Sequence, residues 1–295
     1  MSTIPPLVPV EQGNYETPSP APVEGEAPPR IPHLGHVLIF LVILLSAFFL
    51  ARQALFLVTG AYRAQHLFEG VVHNPTYLLA TQAGIYIGTL LAAWLIFPHL
   101  WERGFTDGIQ WNAPKARTLA VKIIPAGIAV SYMAQLASHF IATPKSMPMD
   151  DFFRTRHDVW LTCAMGTLLA PLIEEIFFRG FLFPALAIAY DWLSLARTPE
   201  ALMLWRSTTT LTTASYVFSG LLTSIFFALL HGAQLAYTWP LVLMLWCVSM
   251  FFTWVRVKTQ SVACSTLLHA SYNFAIFLTA FVGSSGFTHL ENLNR

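Results

Sequence analysis

Charge is what this sequence has least of. Only 11% of its 295 residues are Asp, Glu, Lys or Arg, against about 25% in soluble domains. That is too few to cover a water-facing surface of this size. The formal net charge of +1 offers no basic face, which excludes a nucleic-acid partner. Cysteine is scarce too: Cys163, Cys247 and Cys264 are the three present. Their number is odd, they show no CxxC spacing, and each sits in an apolar stretch. A disulfide framework or thiolate zinc site is excluded, and small core residues are expected. HExxH is missing, which removes the zincin arrangement. Asp191 is the only aspartate after residue 159, so paired intramembrane aspartates are ruled out. No internal repeat of fixed period appears.

What the chain has instead is apolar length. It is 55% hydrophobic, with mean hydropathy +0.57. No Asp, Glu, Lys or Arg stands between Arg206 and Arg256, room for two spans of roughly 20 residues each. Similar gaps cover 70–101, 123–144 and 259–290. Backbone groups in lipid must be satisfied internally, so the spans are helices. They are expected at 36–58, 76–98, 119–141, 159–178, 212–230, 237–256 and 262–283. An eighth stretch, 180–195, is short for a full crossing and reads as a partial or tilted helix. The fold class is therefore all-α, a multi-pass transmembrane bundle of seven to eight helices around a membrane-embedded polar cavity. His73-Asn74-Pro75, Asn112-Ala113-Pro114 and Thr143-Pro144 are breakers between spans. Residues 146–158 mix aromatic and charged side chains, which suits an interfacial helix. Gly283–Gly286 reads as a helix-ending turn. If the eighth stretch crosses and the N-terminus lies outside, Arg63, Lys145, Arg154, Arg156, Arg197, Arg206, Arg256 and Lys258 share the cytoplasmic side, in line with the positive-inside rule.

Residues 1–32 differ in kind. They hold nine of the 19 prolines and cannot bury much apolar surface, so a disordered tail is expected. No basic start followed by an apolar run appears there, so no cleaved signal peptide is expected.

Against this background a few ionisable groups stand inside the spans, where each costs about 2.5–3.5 kcal/mol on insertion scales. In "LAPLIEEIFFRGFLF" (169–183), Glu175 and Arg179 are at i, i+4, acid first, and can pair on one helix face. Glu174 is about 100° away and has no cation at i±3 or i±4. Pro171 is expected to kink the helix just before the acids. His231 ends an apolar run, one turn after Phe227. His269 and Asn273 are at i, i+4 on one face. Such groups are placed most cheaply in one shared, water-accessible cavity. A carboxylate beside an imidazole can take a proton from water. A second imidazole and an amide can donate to a developing oxyanion. The same Glu174, His231 and His269 set could instead hold a zinc ion and activate a bound water. The histidines outside this set, His33, His36, His66, His73, His99, His139, His157 and His289, read as interfacial.

"EEIFFR" (174–179) resembles the EExxxR motif of the type II CAAX prenyl endopeptidase and bacteriocin-processing (CPBP) family, also called abortive-infection-like proteins. "FALLH" (227–231) is similar to its FxxxH motif and "HASYN" (269–273) to its HxxxN motif. The three occur in the family's order, and the likeness covers about 159–283. The resemblance implies an intramembrane endopeptidase with 159–295 as its catalytic core and 33–158 as preceding helices and interfacial segment. It implies that Glu174 and His231 activate water, that His269 and Asn273 form the oxyanion site, and that Glu175 and Arg179 support them. The family has been described both with and without a metal, so a divalent ion such as zinc stays open as cofactor. The implied partners are the bilayer and a protein or peptide substrate entering from it, lipidated or a leader peptide. Two other functions stay open: a membrane immunity or partner-binding protein that kept the pocket, and a proton-coupled transporter, against which the missing repeat counts.

Overall fold

The computed structural model describes residues 29–144 and 146–291. Most of the expected tail, residues 1–28, and Lys145 lie outside the described residues. In chain order the helices are α1 (Leu34–Thr59), α2 (Gln65–Val72), α3 (Pro75–Trp101), α4 (Phe105–Gly108) and α5 (Ala113–Ser138). After a 3-10 turn at Pro148–Phe153 come α6 (Arg156–Ala164), α7 (Ala170–Glu175), α8 (Phe183–Ser194) and α9 (Pro199–Ser207), then α10 (Thr213–Leu230), α11 (Trp239–Thr259) and α12 (Val262–Gly283). Among the described residues there is no strand. Six helices, α1, α3, α5, α10, α11 and α12, are each long and apolar enough to cross a membrane. Arg30–Leu195 with Leu211–Arg295 form one compact unit, and Ala196–Thr210, which holds α9, is grouped apart.

The expected break between a span ending at 178 and a partial helix from 180 is absent. α6, α7 and α8 follow one another without a loop, joined by two π-helical turns, Met165–Leu169 and Ile176–Leu182. Arg179, the residue between the two expected stretches, is fully buried, and a buried ion pair lets the helix continue. The interfacial helix expected at 146–158 is also corrected. Only the 3-10 turn forms, and Arg156 already opens α6 under a cap in which Thr155 Oγ1 accepts the Asp158 N–H at 3.1 Å.

Helix starts follow local chemistry. Asn74 Oδ1 accepts the Thr76 N–H at 2.9 Å ahead of α3, which begins on Pro75. Asn112 Oδ1 accepts the Lys115 N–H at 2.9 Å ahead of α5. Both satisfy donors that a helix start leaves free, with Pro where no N–H is needed. α1 ends at Gly60, whose φ of 68° is the left-handed conformation glycine adopts freely. After Gly283, Ser284 Oγ donates to Ala280 O at 2.7 Å and accepts the Phe287 N–H at 3.0 Å, the turn expected there.

In lipid, apolar side chains gain little from leaving their solvent, so close packing and polar contacts hold helices together. α5 approaches α12 so closely that a Cβ on Gly127 would lie 2.6 Å from the Leu268 carbonyl. Phe40, Phe97, Trp101, Phe105 and Phe181 make an aromatic cluster among α1, α3, α4 and the second π turn. His36 belongs to it, edge-on to Trp101 at 5.6 Å and 7% exposed. It is a packed residue and not an interfacial one, because its ring replaces another aromatic there. The outer faces stay apolar and bare, with Leu50 71% and Val121 77% exposed, as a lipid-facing surface requires. Cys264 is buried as expected, whereas Cys247 is exposed. Three polar contacts tie helix ends together: Thr76 Oγ1 to Asp158 Oδ1 (2.6 Å), Thr212 Oγ1 to Asp191 Oδ1 (2.5 Å) and Asn112 N to Ser261 Oγ (3.3 Å).

Candidate active site

Helical spacing alone brings Glu175 to Arg179. Arg179 Nη1 donates to Glu175 Oε1 at 2.8 Å, and both side chains are fully buried. Two charges without water need further partners. Arg179 Nη2 donates to Ser249 Oγ (2.6 Å) and Ser249 O (2.9 Å), and Nε to Thr253 Oγ1 (3.4 Å). The guanidinium lies 4.9 Å from the Phe227 ring centroid and 5.6 Å from that of Phe252, a cation–π setting for a desolvated cation. α11 thus supplies the second half of a cage that α7 begins.

Glu174 points elsewhere, as its angular offset requires. Its Oε2 lies 3.8 Å from His231 Nε2 and 3.9 Å from His269 Nε2. Its side chain is 18% exposed and that of His231 22%, so this edge of the cluster is open while Glu175 is enclosed. Each imidazole is fixed from behind. His231 caps α10, and its Nδ1 is 2.8 Å from the Phe227 carbonyl. A carbonyl only accepts, so this nitrogen carries the proton. His269 Nδ1 is 3.1 Å from Glu175 Oε1, which fixes its tautomer in the same way. Both Nε2 atoms are therefore turned toward Glu174. At 3.8–3.9 Å neither imidazole makes a direct hydrogen bond to Glu174, which leaves the carboxylate and both Nε2 atoms free for a shared third partner.

Asn273 is placed by a different device. The first π turn closes with the Ala170 N–H on Met165 O. In that register the donor due to Gly166 O is residue 171, which is proline and has no N–H. Asn273 Nδ2 takes its place at 2.6 Å. α12 can come this near because Gly166 has no side chain: a Cβ there would lie 2.7 Å from the Phe277 ring. Pro171, expected to kink the helix, thus leaves a carbonyl for a neighbouring helix to cap. The structure brings Glu174, Glu175, Arg179, His231 and His269 into one contact network. It holds Asn273 one turn along α12 from His269, against Gly166.

A proteolytic family is decided by where this constellation lies in the chain. Residues 156–275 match the family model for the type II CAAX prenyl endopeptidase Rce1-like family. That stretch, less than half of the chain, is similar to this family. No curated protein and no solved structure matched the chain. The matched stretch runs from α6 into α12 and contains every residue just described. The family so named is one of endopeptidases, and the six apolar helices fit an integral membrane protein.

The residues were also tested as a metal site. A zinc ion bound at about 2.0–2.1 Å sets its ligand atoms near 3.3 Å apart. Glu174 stands farther than that from both imidazoles, and among the described residues no three His, Cys, Asp or Glu come together as ligands. As placed, the set does not fit the ion. Two apolar grooves, about 490 Å³ between α10 and α11 and about 520 Å³ between α5 and α11, contain none of the site's charged residues. Tyr86 of α3, paired with Gln82, feels the charge of Glu174. It was missed in the Rce1-like motifs because α3 carries none of them.

Proposed function

We propose that this Rce1-like protein hydrolyses a peptide bond with a water held between Glu174, His231 and His269. The observation that carries the reading is the partly exposed Glu174 carboxylate facing two oriented imidazoles beside a buried ion pair. Glu174 takes one water proton as the water oxygen adds to the substrate carbonyl. His231 receives the other O–H as a hydrogen bond, leaving a lone pair free for attack. The oxyanion that forms is met by the second N–H of Asn273, whose first is committed to Gly166, beside the imidazole of His269. Glu174 then passes its proton to the leaving amine, and the C–N bond breaks. Glu175 and Arg179 stay out of the proton transfers and hold His269 and the helix.

The substrate class is a peptide presented from the membrane, either a CAAX-type prenylated C-terminus or a leader or membrane-protein segment. The test uses purified protein in proteoliposomes with a fluorogenic peptide, farnesylated or bare. Glu174→Gln is expected to lower kcat by about 10²–10⁴-fold, with chelators leaving the wild type active. Unchanged cleavage by Glu174→Gln removes Glu174 from the chemistry, and a wild type that cleaves neither peptide returns the protein to a non-catalytic binding role. A chelator-sensitive, zinc-restored activity moves the water onto a metal.

A further inference from the structure

The arrangement at Gly166 occurs a second time, thirteen residues on, at the carbonyl of Arg179, and the groups that complete it, Pro184 and Arg256, lie outside all three motifs. The second π turn closes with the Phe183 N–H on Phe178 O. One residue further, the donor due to Arg179 O is residue 184, and residue 184 is again proline. No backbone N–H can reach that carbonyl in this register, and a buried carbonyl without a donor is costly. The group that reaches it comes from α11: Arg256 Nε donates to Arg179 O at 3.4 Å.

Arg256 is itself an anomaly. It sits near the end of α11, where a charge normally meets water, yet it is 4% exposed. Among the described residues no carboxylate lies within ion-pair distance of it. Its second partner is Gln110, whose Oε1 accepts from Nη2 at 2.6 Å. Gln110 is held at φ 59°, and its carbonyl accepts the N–H of Val262, the first residue of α12, at 3.1 Å. The guanidinium therefore joins the α4–α5 loop and the root of α12 to the carbonyl that Pro184 leaves open. Gly180 permits this approach, since a Cβ there would lie 3.3 Å from Ile109.

We infer that Arg256 is a positioning residue for the site, acting through the Arg179 carbonyl. It fixes the main chain of the residue whose side chain holds Glu175, and so the helix turn that carries Glu174. The two π turns and their prolines bracket the acidic pair, and each orphan carbonyl is capped from a different helix, α12 through Asn273 and α11 through Arg256. The kinetic part of this inference rests on the proteolytic reading; the structural part does not.

The test is a double-mutant cycle of wild type, Arg256→Met, Pro184→Ala and the double variant. Alanine at 184 supplies the N–H due to Arg179 O. With Pro184 intact, Arg256→Met is expected to lower kcat about tenfold or more at nearly constant KM, or not to fold. In the Pro184→Ala background the loss is expected to shrink to about threefold or less, and the melting midpoints in detergent should couple in the same sense. Equal loss in both backgrounds, failure to fold in both included, overturns the inference, as does full activity of Arg256→Met with Pro184 intact. Coupling in melting but not in kcat makes Arg256 a packing residue and overturns the positioning role. If the wild type cleaves nothing, the proteolytic reading fails alone, and additive melting midpoints would still sink the link between Arg256 and Pro184.

Discussion

At the scale of single residues the site divides labour between two neighbours that differ by one position. Glu175 is walled in and neutralised; Glu174 is left partly exposed, facing two imidazoles. The difference predicts opposite mutational behaviour. Removing the guanidinium with Arg179→Ala leaves a carboxylate buried without its partner, and is expected to destabilise the protein by about 3–5 kcal/mol, read as a lower melting midpoint in detergent. Glu174→Gln is isosteric and its side chain is partly exposed, at 18%, so its melting midpoint should stay within a few degrees while cleavage collapses. The Glu175–Arg179 pair could be read from the chain because i, i+4 spacing is local geometry. The partners of Glu174 could not be read from local spacing, since His231 and His269 arrive on other helices; the cost of ionisable groups in lipid argued that they share a cavity, and the family resemblance assigned their roles. Arg256 was hidden for a related reason. A cation after a long apolar run reads as a loop charge, and nothing in the local pattern announces that a proline elsewhere has left a carbonyl for it.

At the scale of elements, spans were legible to within a few residues because apolar length, Asn-Pro breakers and caps are all encoded nearby. The continuity of α6 through α8 was not. A 3.6-residue period describes α-helix, and the π turns that carry the chain past Pro171 and Pro184 depend on side chains from α11 and α12. The α5–α12 seam gives a test at this scale. Gly127→Ala places a Cβ 2.6 Å from a main-chain oxygen, which cannot rotate away as a side chain could. The helices must part, with an expected cost of about 1–3 kcal/mol and weaker cleavage, since α12 carries His269 and Asn273. The start of α1 makes a second. His33 Nδ1 accepts the Gly35 N–H at 3.1 Å, which requires the unprotonated nitrogen. Desolvation lowers the His33 pKa below its ordinary 6.5. A group whose folded pKa is depressed contributes stability that is full above about 6.5 and is lost as pH falls below it. Melting midpoints of wild type and His33→Gln should therefore converge as pH drops from 7 to 5.

At the scale of the whole molecule, replacing two expected helices by one unbroken run changes which loops share a side. With seven crossings, Arg103, Lys115, Arg117, Lys122, Arg256 and Lys258 fall on the side of the α1 N-terminus, and Arg63, Arg154 and Arg156 on the other. The three end-to-end contacts, Thr76 with Asp158, Asp191 with Thr212 and Asn112 with Ser261, each join ends that this alternation puts together. If α6–α8 crosses as a seventh span, the positive-inside rule predicts the start of α1 on the cytoplasmic side, the reverse of the orientation that eight spans suggested. In a cysteine-free background, a thiol at Arg103 should be labelled from the cytoplasmic face and one at Arg63 from the opposite face.

The chain from Arg156 to Ser194 is pinned at both extremities, by Asp158 on Thr76 and by Asp191 on Thr212, and in its middle by the Arg179 cage. Each π turn accommodates one residue more than an α-helix would. Deleting a lipid-facing residue inside a π turn, such as Leu168, would restore ordinary helical winding and leave the flanking halves in register, whereas a deletion in the α-helical turns would swing one anchored half about 100° against the other. Either the Thr76 tether or the acidic pair would then miss its mark. The helix tolerates exchange of outward side chains, but outside its two π turns its residue count admits no change of frame.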